Sequence, residues 1–211
     1  VDFIKVMAGG GCLSPSDTLE ASQYSLDELK AIVWEATSAG TYVSSHCYSD
    51  RSIFNSLAAG IRSIEHGNLM SEHSARKIKE QNAYLVPTLA AYDLTAIHGR
   101  DLGLPETYVK KIKQARELAE QALATAKASG CSIASGSDLL GPLQSYRAAE
   151  ITLKAQVLGP MGAIVASTKT NAQLIGCEDE LGTIEPGKLA DLILVKGDPL
   201  KDISLLQQYR E

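Results

Sequence analysis

The stretch GTYVSSHCYSDRSIFNSLAAGIRSIEHG, residues 40–67, contains the patterns of two short strands with one helix between them. Apolar and β-branched residues precede His46 and, again, His66, which is typical of strands. Residues 52–59 carry apolar side chains at helical spacing, and Gly60 is typical of the end of a helix. A strand, a helix and a second strand in this order predict a parallel β-α-β unit.

The same alternation extends in both directions from this stretch. Upstream, Ser25 and Glu28 fit a capping box, which predicts a helix that ends at Gly40. The predicted strands cover residues 2–6, 42–46, 62–66, 83–86 and 131–135, and the predicted helices cover residues 26–39, 52–59, 71–81, 105–129, 146–158 and 161–175. Such alternation indicates parallel strands joined by right-handed crossovers.

A complete (β/α)8 barrel needs about 250 residues, whereas this chain has 211 and shows only five strand patterns before its tail. The predicted fold class is α/β, and residues 1–178 are expected to form the second half, about strands 4 to 8, of a TIM-like (β/α)8 barrel. The pattern changes in residues 179–211, where turn pairs flank the apolar run Leu192–Val195. This run predicts a strand of a short C-terminal β element outside the barrel.

The first residue, Val1, already lies in a strand pattern and is not methionine. We therefore expect the N-terminal half of the barrel to be a missing partner of this chain. Half a barrel leaves open sheet edges, which favours association with that half. The sequence leaves open whether the protein is also a homo-oligomer.

Charge and composition argue against several classes of function. The net charge is −5, the pI is near 5.4 and no basic cluster is present, so neither nucleic acid nor an anionic membrane is an expected partner. No apolar run reaches the roughly 18 residues that span a bilayer, and no signal-peptide pattern opens the sequence. The four cysteines lack CxxC pairing, which favours reduced thiols. We expect a cytoplasmic protein with a small-molecule substrate.

Four residues of metal-binding or catalytic type each follow a predicted strand: Lys5, His46, His66 and Asp138. In a parallel barrel the carboxyl ends of the strands converge on the mouth that holds the active site. Imidazole and carboxylate groups are suitable ligands for divalent metals such as zinc. Taken singly, the histidines could be core residues, Lys5 an ion-paired surface residue and Asp138 a helix cap. Their shared placement favours a metal-dependent hydrolase.

Five segments, in this order, resemble the amidohydrolase superfamily, closest to its imidazolonepropionase-like and Xaa-Pro dipeptidase (prolidase-like) branch. They are Asp-Phe-Ile-Lys-Val (2–6), Gly-Ile-Arg-Ser-Ile-Glu-His-Gly (60–67), Tyr-Leu-Val-Pro-Thr-Leu (84–89), Gly-Ser-Asp (136–138) and Gly-Thr-Ile-Glu-Pro-Gly-Lys-Leu-Ala-Asp-Leu-Ile-Leu-Val (182–195). The resemblance covers essentially the whole chain. It implies the C-terminal part of such an enzyme, with residues 179–211 belonging to its β-sandwich domain.

The resemblance also implies a set of metal ligands. Lys5 would be the strand-4 lysine, carrying a carbamate that bridges two divalent ions, with zinc the expected metal. His46 and His66 would be the ligands from strands 5 and 6. Asp138 would be the strand-8 ligand and would also transfer the proton. The His-x-His motif of strand 1 has no counterpart here, because the predicted strands begin at strand 4.

Four further residues are candidates for contacts with the substrate: Tyr48, Tyr92, His98 and Arg147. Tyr48 follows the His46 strand, His98 lies in a predicted loop before Gly99, and Arg147 could pair with a substrate carboxylate through two hydrogen bonds.

Three functions are consistent with these residues. The leading hypothesis is hydrolysis of a C–N bond, in an amide, a cyclic amide or a dipeptide, by metal-activated water. The alternative from another class is a non-catalytic remnant, or one half of a split assembly, without the strand-1 His-x-His. A Schiff-base lyase that uses Lys5 is the third hypothesis, and it leaves both histidines unexplained.

Overall fold

The computed structural model describes residues 1–208 and has one parallel sheet. Its strands pair in chain order, and each connection between them contains at least one helix. The strands are β1 (Ile4–Met7), β2 (Val43–Ser49), β3 (Ser63–Leu69), β4 (Tyr84–Val86) and β5 (Ser132–Ile133). The predicted α/β class and the five strand positions are thereby confirmed.

Helices connect the strands and also follow the last strand. They are α1 (Leu26–Ser38), α2 (Asp50–Ala59), α3 (Glu72–Glu80), α4 (Leu89–His98), α5 (Glu106–Ala128), α6 (Ala149–Leu158), α7 (Pro160–Ser167) and α8 (Lys169–Ile175), with 3₁₀ helices at Gly141–Tyr146 and Ile203–Gln207. The predicted helix over 161–175 is two helices, separated at Thr168. No helix within residues 1–208 has the length and apolar character that crossing a membrane requires.

Serine caps make the transitions from strand to helix short. Ser25 forms the predicted capping box with Glu28. Ser49 is both the last residue of β2 and the N-cap of α2, and Ser71 caps α3 two residues after β3. Because so little chain separates strand from helix, the residues at the strand ends are held by regular structure on both sides.

Side chains of β2 alternate between the helices and the opposite face of the sheet. Ser45 and Cys47 face α2, where both contact the hydroxyl of Ser56. His46 and Tyr48 face the other side. The core between sheet and helices is built from buried apolar residues that include Val6, Leu29, Val43, Ile53, Leu57, Ile64, Ile78 and Leu85. The apolar core therefore packs against one face of the strands, and polar residues occupy the opposite face.

Arg62 ties together the amino-terminal ends of three strands. Its guanidinium carbon lies 5.3 Å from the ring centroid of Tyr42 and 5.6 Å from that of Tyr84. One guanidinium nitrogen donates a 2.7 Å hydrogen bond to the carbonyl of Gln173 in α8. A planar cation can stack on aromatic rings and donate in its plane at once, so Arg62 links the strand ends to α8.

Replacing Arg62 with alanine is expected to lower the free energy of unfolding by about 2 to 3 kcal/mol, because it removes cation–π contacts and a hydrogen bond from a charged donor. Urea denaturation measures the change. Arg51→Ala, on an exposed position of α2, is the matched control, with an expected change within about 0.5 kcal/mol. Equal effects of the two substitutions would contradict this account.

The predicted C-terminal strand is not formed. Leu192–Val195 has no regular secondary structure, and Leu192, Ile193 and Leu194 are 63%, 82% and 103% exposed. A strand needs a neighbour for its backbone hydrogen bonds, and no strand within residues 1–208 pairs with this run. The strand prediction is therefore wrong for this structure, whereas the domain boundary at residue 178 stays a prediction.

Candidate active site

Two histidines from neighbouring strands lie in contact at the carboxyl end of the sheet. The ring centroids of His46 in β2 and His66 in β3 are 4.5 Å apart in an edge-to-face arrangement. The ring of Tyr48 lies 4.7 Å from His46 and 5.4 Å from His66, and the ring of Tyr92 lies 5.9 Å from His66. All four residues are buried. The strand ends thus bring together residues that the sequence analysis selected.

Each imidazole has one nitrogen fixed by the protein. His46 Nε2 is 2.8 Å from the carbonyl oxygen of Gly10, so it carries the proton and donates it to that oxygen. His66 Nδ1 is 2.7 Å from Thr88 Oγ1. His66 Nε2 faces Asp138, whose Oδ2 is 4.0 Å away. A carbonyl oxygen can only accept, so the tautomer of His46 is set and its Nδ1 is left available as a ligand. At His66, ligation through Nε2 requires the Nδ1–H tautomer, with Thr88 Oγ1 as the acceptor.

Burial keeps both rings neutral. Desolvation lowers the pKa of His46 to about 4, with a smaller opposing effect from its hydrogen bond to Gly10. Desolvation also holds the pKa of His66 well below its usual value, and the nearby His46 and Lys5 act in the same direction. A neutral imidazole offers a lone pair at neutral pH, as metal ligation requires.

Lys5 of β1 contributes an amine to the same face of the sheet. The residue keeps solvent exposure, yet the surrounding protein desolvates its amine and lowers its pKa, against the opposing charges of Glu65 and Asp138. Glu65 is held by hydroxyl donors, Ser44 at 2.8 Å and Ser63 at 2.7 Å. The lowered pKa favours the neutral amine, which is the nucleophilic form.

Three residues around the histidine pair have left-handed backbone conformations without being glycine. The φ angles are 75° at His66, 50° at Thr88 and 48° at Asp138. Each such residue costs of order 1–3 kcal/mol, and such strain clusters at functional sites. The strained backbone at these three residues therefore lowers the stability of the fold around the histidine pair.

A cavity of about 630 Å³ opens beside His46 and Asp138. Among the described residues, the charged side chains in its lining are Asp17 and Asp138. Its walls are otherwise largely apolar, with Met7, Leu13, Leu102, Leu104, Ile112, Leu140, Pro142 and Leu143 among them. A neutral apolar group of a small molecule suits these walls.

Tyr48 and Tyr92 line this cavity and are linked to each other. The hydroxyl of Tyr92 donates to that of Tyr48 at 3.0 Å, and Tyr48 Oη lies 3.2 Å from Cys12 Sγ. Desolvation raises the pKa of both phenols well above their usual value. Both therefore stay protonated, and because the Tyr92 proton is donated to Tyr48, it is the Tyr48 hydroxyl that can act as a donor at the cavity wall.

The other two substrate candidates do not line the cavity. His98 is the last residue of α4 rather than part of a loop, and its ring stacks on Tyr146 with centroids 6.5 Å apart. Arg147 is exposed and donates to the carbonyl of Gln144. We therefore assign no substrate contact to His98 or Arg147.

The sequence matches the model of the amidohydrolase family over residues 1–211. The chain belongs to this family. This confirms the resemblance that the five segments indicated.

Other amidohydrolases share both sequence and structure with this chain. The ochratoxinase of Aspergillus niger is 29% identical over 206 residues, which are 97% of this chain and 43% of that protein. The crystal structure of a prolidase in complex with N-methylphosphonate-L-proline matches with a TM-score of 0.95 at 39% sequence identity. The crystal structure of a Xaa-Pro dipeptidase with bound methionine matches with a TM-score of 0.90 at 33% sequence identity. Each match covers 98% of this chain and 51% of the other chain. The chain thus spans about half the length of these amidohydrolases.

The donor set of this amidohydrolase chain fits a divalent ion in its chemistry. His66 Nε2, the unprotonated Nδ1 of His46 and the Asp138 carboxylate are ligand types that zinc accepts. Within residues 1–208, however, no three His, Cys, Asp or Glu side chains converge closely enough to form a ligand set on their own. The residues therefore fit as part of a larger set, to which the amine of Lys5 can contribute.

Sequence reasoning missed two side chains of the site. Glu65 is one residue before His66 and lies near Lys5, whereas strict strand alternation would place Glu65 and His66 on opposite faces of the sheet. The left-handed backbone of His66, with φ 75°, breaks that alternation. Thr88 contacts His66 from the turn between β4 and α4. Its position after Pro87 gave no signal, because that contact depends on a left-handed backbone.

Proposed function

We propose that this chain forms part of the active site of a metal-dependent amidohydrolase that hydrolyses a C–N bond. The observation that carries the proposal is the histidine pair, in which each ring is neutral and has one nitrogen fixed by the protein. A histidine with only a structural role in the core would not need a free ring nitrogen that faces the carboxylate of Asp138. The family membership and the prolidase-like relatives support the same chemistry.

We assign β1 to β5 to strands 4 to 8 of a (β/α)8 barrel. In that assignment Lys5 lies on strand 4, His46 on strand 5, His66 on strand 6, and Asp138 follows strand 8. Lys5 would carry a carbamate, and the lowering of its pKa by burial favours the neutral amine that this modification requires. The remaining ligands would come from the strand-1 His-x-His of the missing half.

A divalent ion held by these residues, most suitably zinc, would activate a water molecule and polarise the scissile carbonyl. Asp138 would accept the proton of the attacking water and deliver it to the leaving nitrogen. Desolvation raises the pKa of Asp138, which makes its carboxylate a better base. Tyr48 lines the cavity beside His46, where its protonated hydroxyl would donate to the substrate.

The cavity favours an amide substrate with a bulky apolar side chain. Its largely apolar walls would accommodate such a side chain. Related enzymes are named for acting on Xaa-Pro dipeptides and on ochratoxin. We therefore propose a dipeptide or a related amide with an apolar residue as the substrate class.

The proposal is tested with the protein extended to the length of its relatives. Xaa-Pro dipeptides, aryl amides and cyclic amides are assayed before and after chelation, and again after zinc is restored. We expect hydrolysis that is lost on chelation and regained with metal. Absence of metal-dependent hydrolysis for all three substrate types, in a folded extended chain, favours the non-catalytic remnant.

Leu102→Asp tests the cavity as the site of the apolar group. We expect kcat/KM to fall about tenfold for a leucyl or phenylalanyl substrate and to change little for a glycyl one, because burial of a large apolar side chain contributes roughly 1.5–3 kcal/mol. Leu118→Asp is the matched control, since the two leucines are 41% and 39% exposed and Leu118 lies on α5 outside the cavity. Equal losses for all substrates would contradict the assignment.

A further inference from the structure

We infer that Glu150 is a positioning residue for His66, acting through Thr88 and the first turn of α4. The inference rests on the proposed function, since it concerns the orientation of a proposed metal ligand. It assigns a role to a buried carboxylate that lies outside the histidine pair and outside the cavity lining.

Thr88 directs its side chain to His66 and not to the helix that it precedes. It is the N-cap residue of α4, a position where a threonine hydroxyl normally accepts from the backbone of the helix. Here its side chain makes no such bond, and Oγ1 instead lies 2.7 Å from His66 Nδ1. Its left-handed backbone, with φ 50° and ψ 45°, is part of this arrangement.

Glu150 of α6 supplies the missing cap from 60 residues away in the chain. Its Oε2 accepts a 2.8 Å hydrogen bond from the backbone nitrogen of Ala90, and the backbone of Leu89 also donates to its carboxylate. These are the first two residues of α4, so the carboxylate meets the donors that a cap would satisfy. Glu150 thereby fixes the turn from which Thr88 reaches His66.

A second buried ionisable residue extends the arrangement to the segment before Asp138. Burial raises the pKa of Glu150 and lowers that of the neighbouring Lys154. Lys154, one helical turn after Glu150, is fully buried, and its Nζ donates to the carbonyl of Ala134 at 3.5 Å. Ala134 directly follows β5. Buried charge pairs stabilise a fold no better than apolar residues of similar size. Glu150 and Lys154 thus hold the first turn of α4 and the segment after β5, the two segments that carry Thr88 and Asp138. A role in stability alone would not require these two contacts.

The test uses the extended protein with ¹⁵N-labelled histidine and follows the Nδ1 proton of His66, assigned with His66→Gln. Glu150→Ala and Thr88→Val are both expected to abolish this slowly exchanging proton signal. Each is expected to lower kcat about 10- to 100-fold at nearly constant KM, the usual effect of losing a partner that orients a ligand. The double variant should lose no more than the larger single loss, because the two residues act in series.

Two matched variants separate positioning from folding. Glu150→Gln keeps an oxygen acceptor for the α4 amides and is expected to retain the proton signal and most of the kcat. Glu117→Ala, at an exposed position of α5, is expected to change neither. If Glu150→Ala keeps the His66 proton signal and behaves like Glu117→Ala, or if the losses of the two single variants multiply, the inference is wrong. If no variant hydrolyses any substrate, the proposed function fails, and the proton signal still decides the role of Glu150.

Discussion

Replacing Asp138 with asparagine in the extended protein is expected to lower kcat by roughly 10²- to 10⁴-fold, the range attributed to general acid–base catalysis. Asparagine keeps the size of the side chain but cannot accept and release the proton. The Asp138 side chain is 59% exposed and faces the cavity, and its Oδ2 lies 4.0 Å from His66 Nε2. Steady-state kinetics on the best dipeptide substrate measures the loss.

The control for this substitution is Asp101→Asn, which changes an exposed aspartate outside the cavity. Metal content is measured in parallel, because Asp138 is also a proposed ligand. A variant that keeps its metal and loses kcat supports the proton-transfer role. If Asp138→Asn keeps more than about a tenth of the wild-type kcat, that role is excluded, since even weak general catalysis contributes about 10²-fold.

Lys5→Ala is expected to remove metal and to lower activity by at least about 10³-fold, since activation of water by a metal ion supplies several kcal/mol. Burial lowers the pKa of Lys5, which favours the neutral amine that a carbamate requires, and alanine offers no amine in its place. Plasma mass spectrometry on the extended chain should find roughly two ions in the wild type, as in binuclear hydrolases, and fewer in the variant.

Lys30→Ala provides the comparison, because Lys30 is exposed on α1. This variant should keep the wild-type metal content and rate. A Lys5→Ala protein with undiminished metal would overturn the bridging role of the lysine. An extended wild-type chain that binds no divalent metal would remove the hydrolase mechanism as a whole.

Local patterns in the sequence were sufficient to predict most of the fold. The strand–helix–strand pattern of residues 40–67 predicted β2, α2 and β3, because their boundaries are set by serine caps and glycine. Helix α4 was missed, since its segment follows Pro87 and has no side-chain cap in its own sequence. The C-terminal strand was predicted in error, because an apolar run becomes a strand only where a partner strand is present.

The candidate site was predictable where neighbouring strands carry it. Parallel strands in chain order place His46 and His66 on neighbouring strands, so their proximity follows from topology. Their ring contact also depends on the left-handed backbone of His66, because the register pairs His46 with Glu65 and His66 with Cys47. The groups that orient them are set by tertiary structure. The cap on α4 comes from Glu150, and Gly10 reaches His46 from a loop. No periodicity in the sequence reports contacts of this kind.

The left-handed residues around the histidine pair have an evolutionary consequence. Glycine adopts the backbone of residues 66, 88 and 138 at lower free energy than the residues now present. Selection for thermal resistance alone would therefore favour glycine at residue 138, whose side chain is 59% exposed, whereas at buried His66 and Thr88 the relief of strain competes with the loss of buried contacts. A lineage that no longer needed hydrolysis could drift toward a sturdier and inactive fold through single substitutions. Retention of histidine, threonine and aspartate in these strained conformations is the pattern expected of a protein still under selection for its active site.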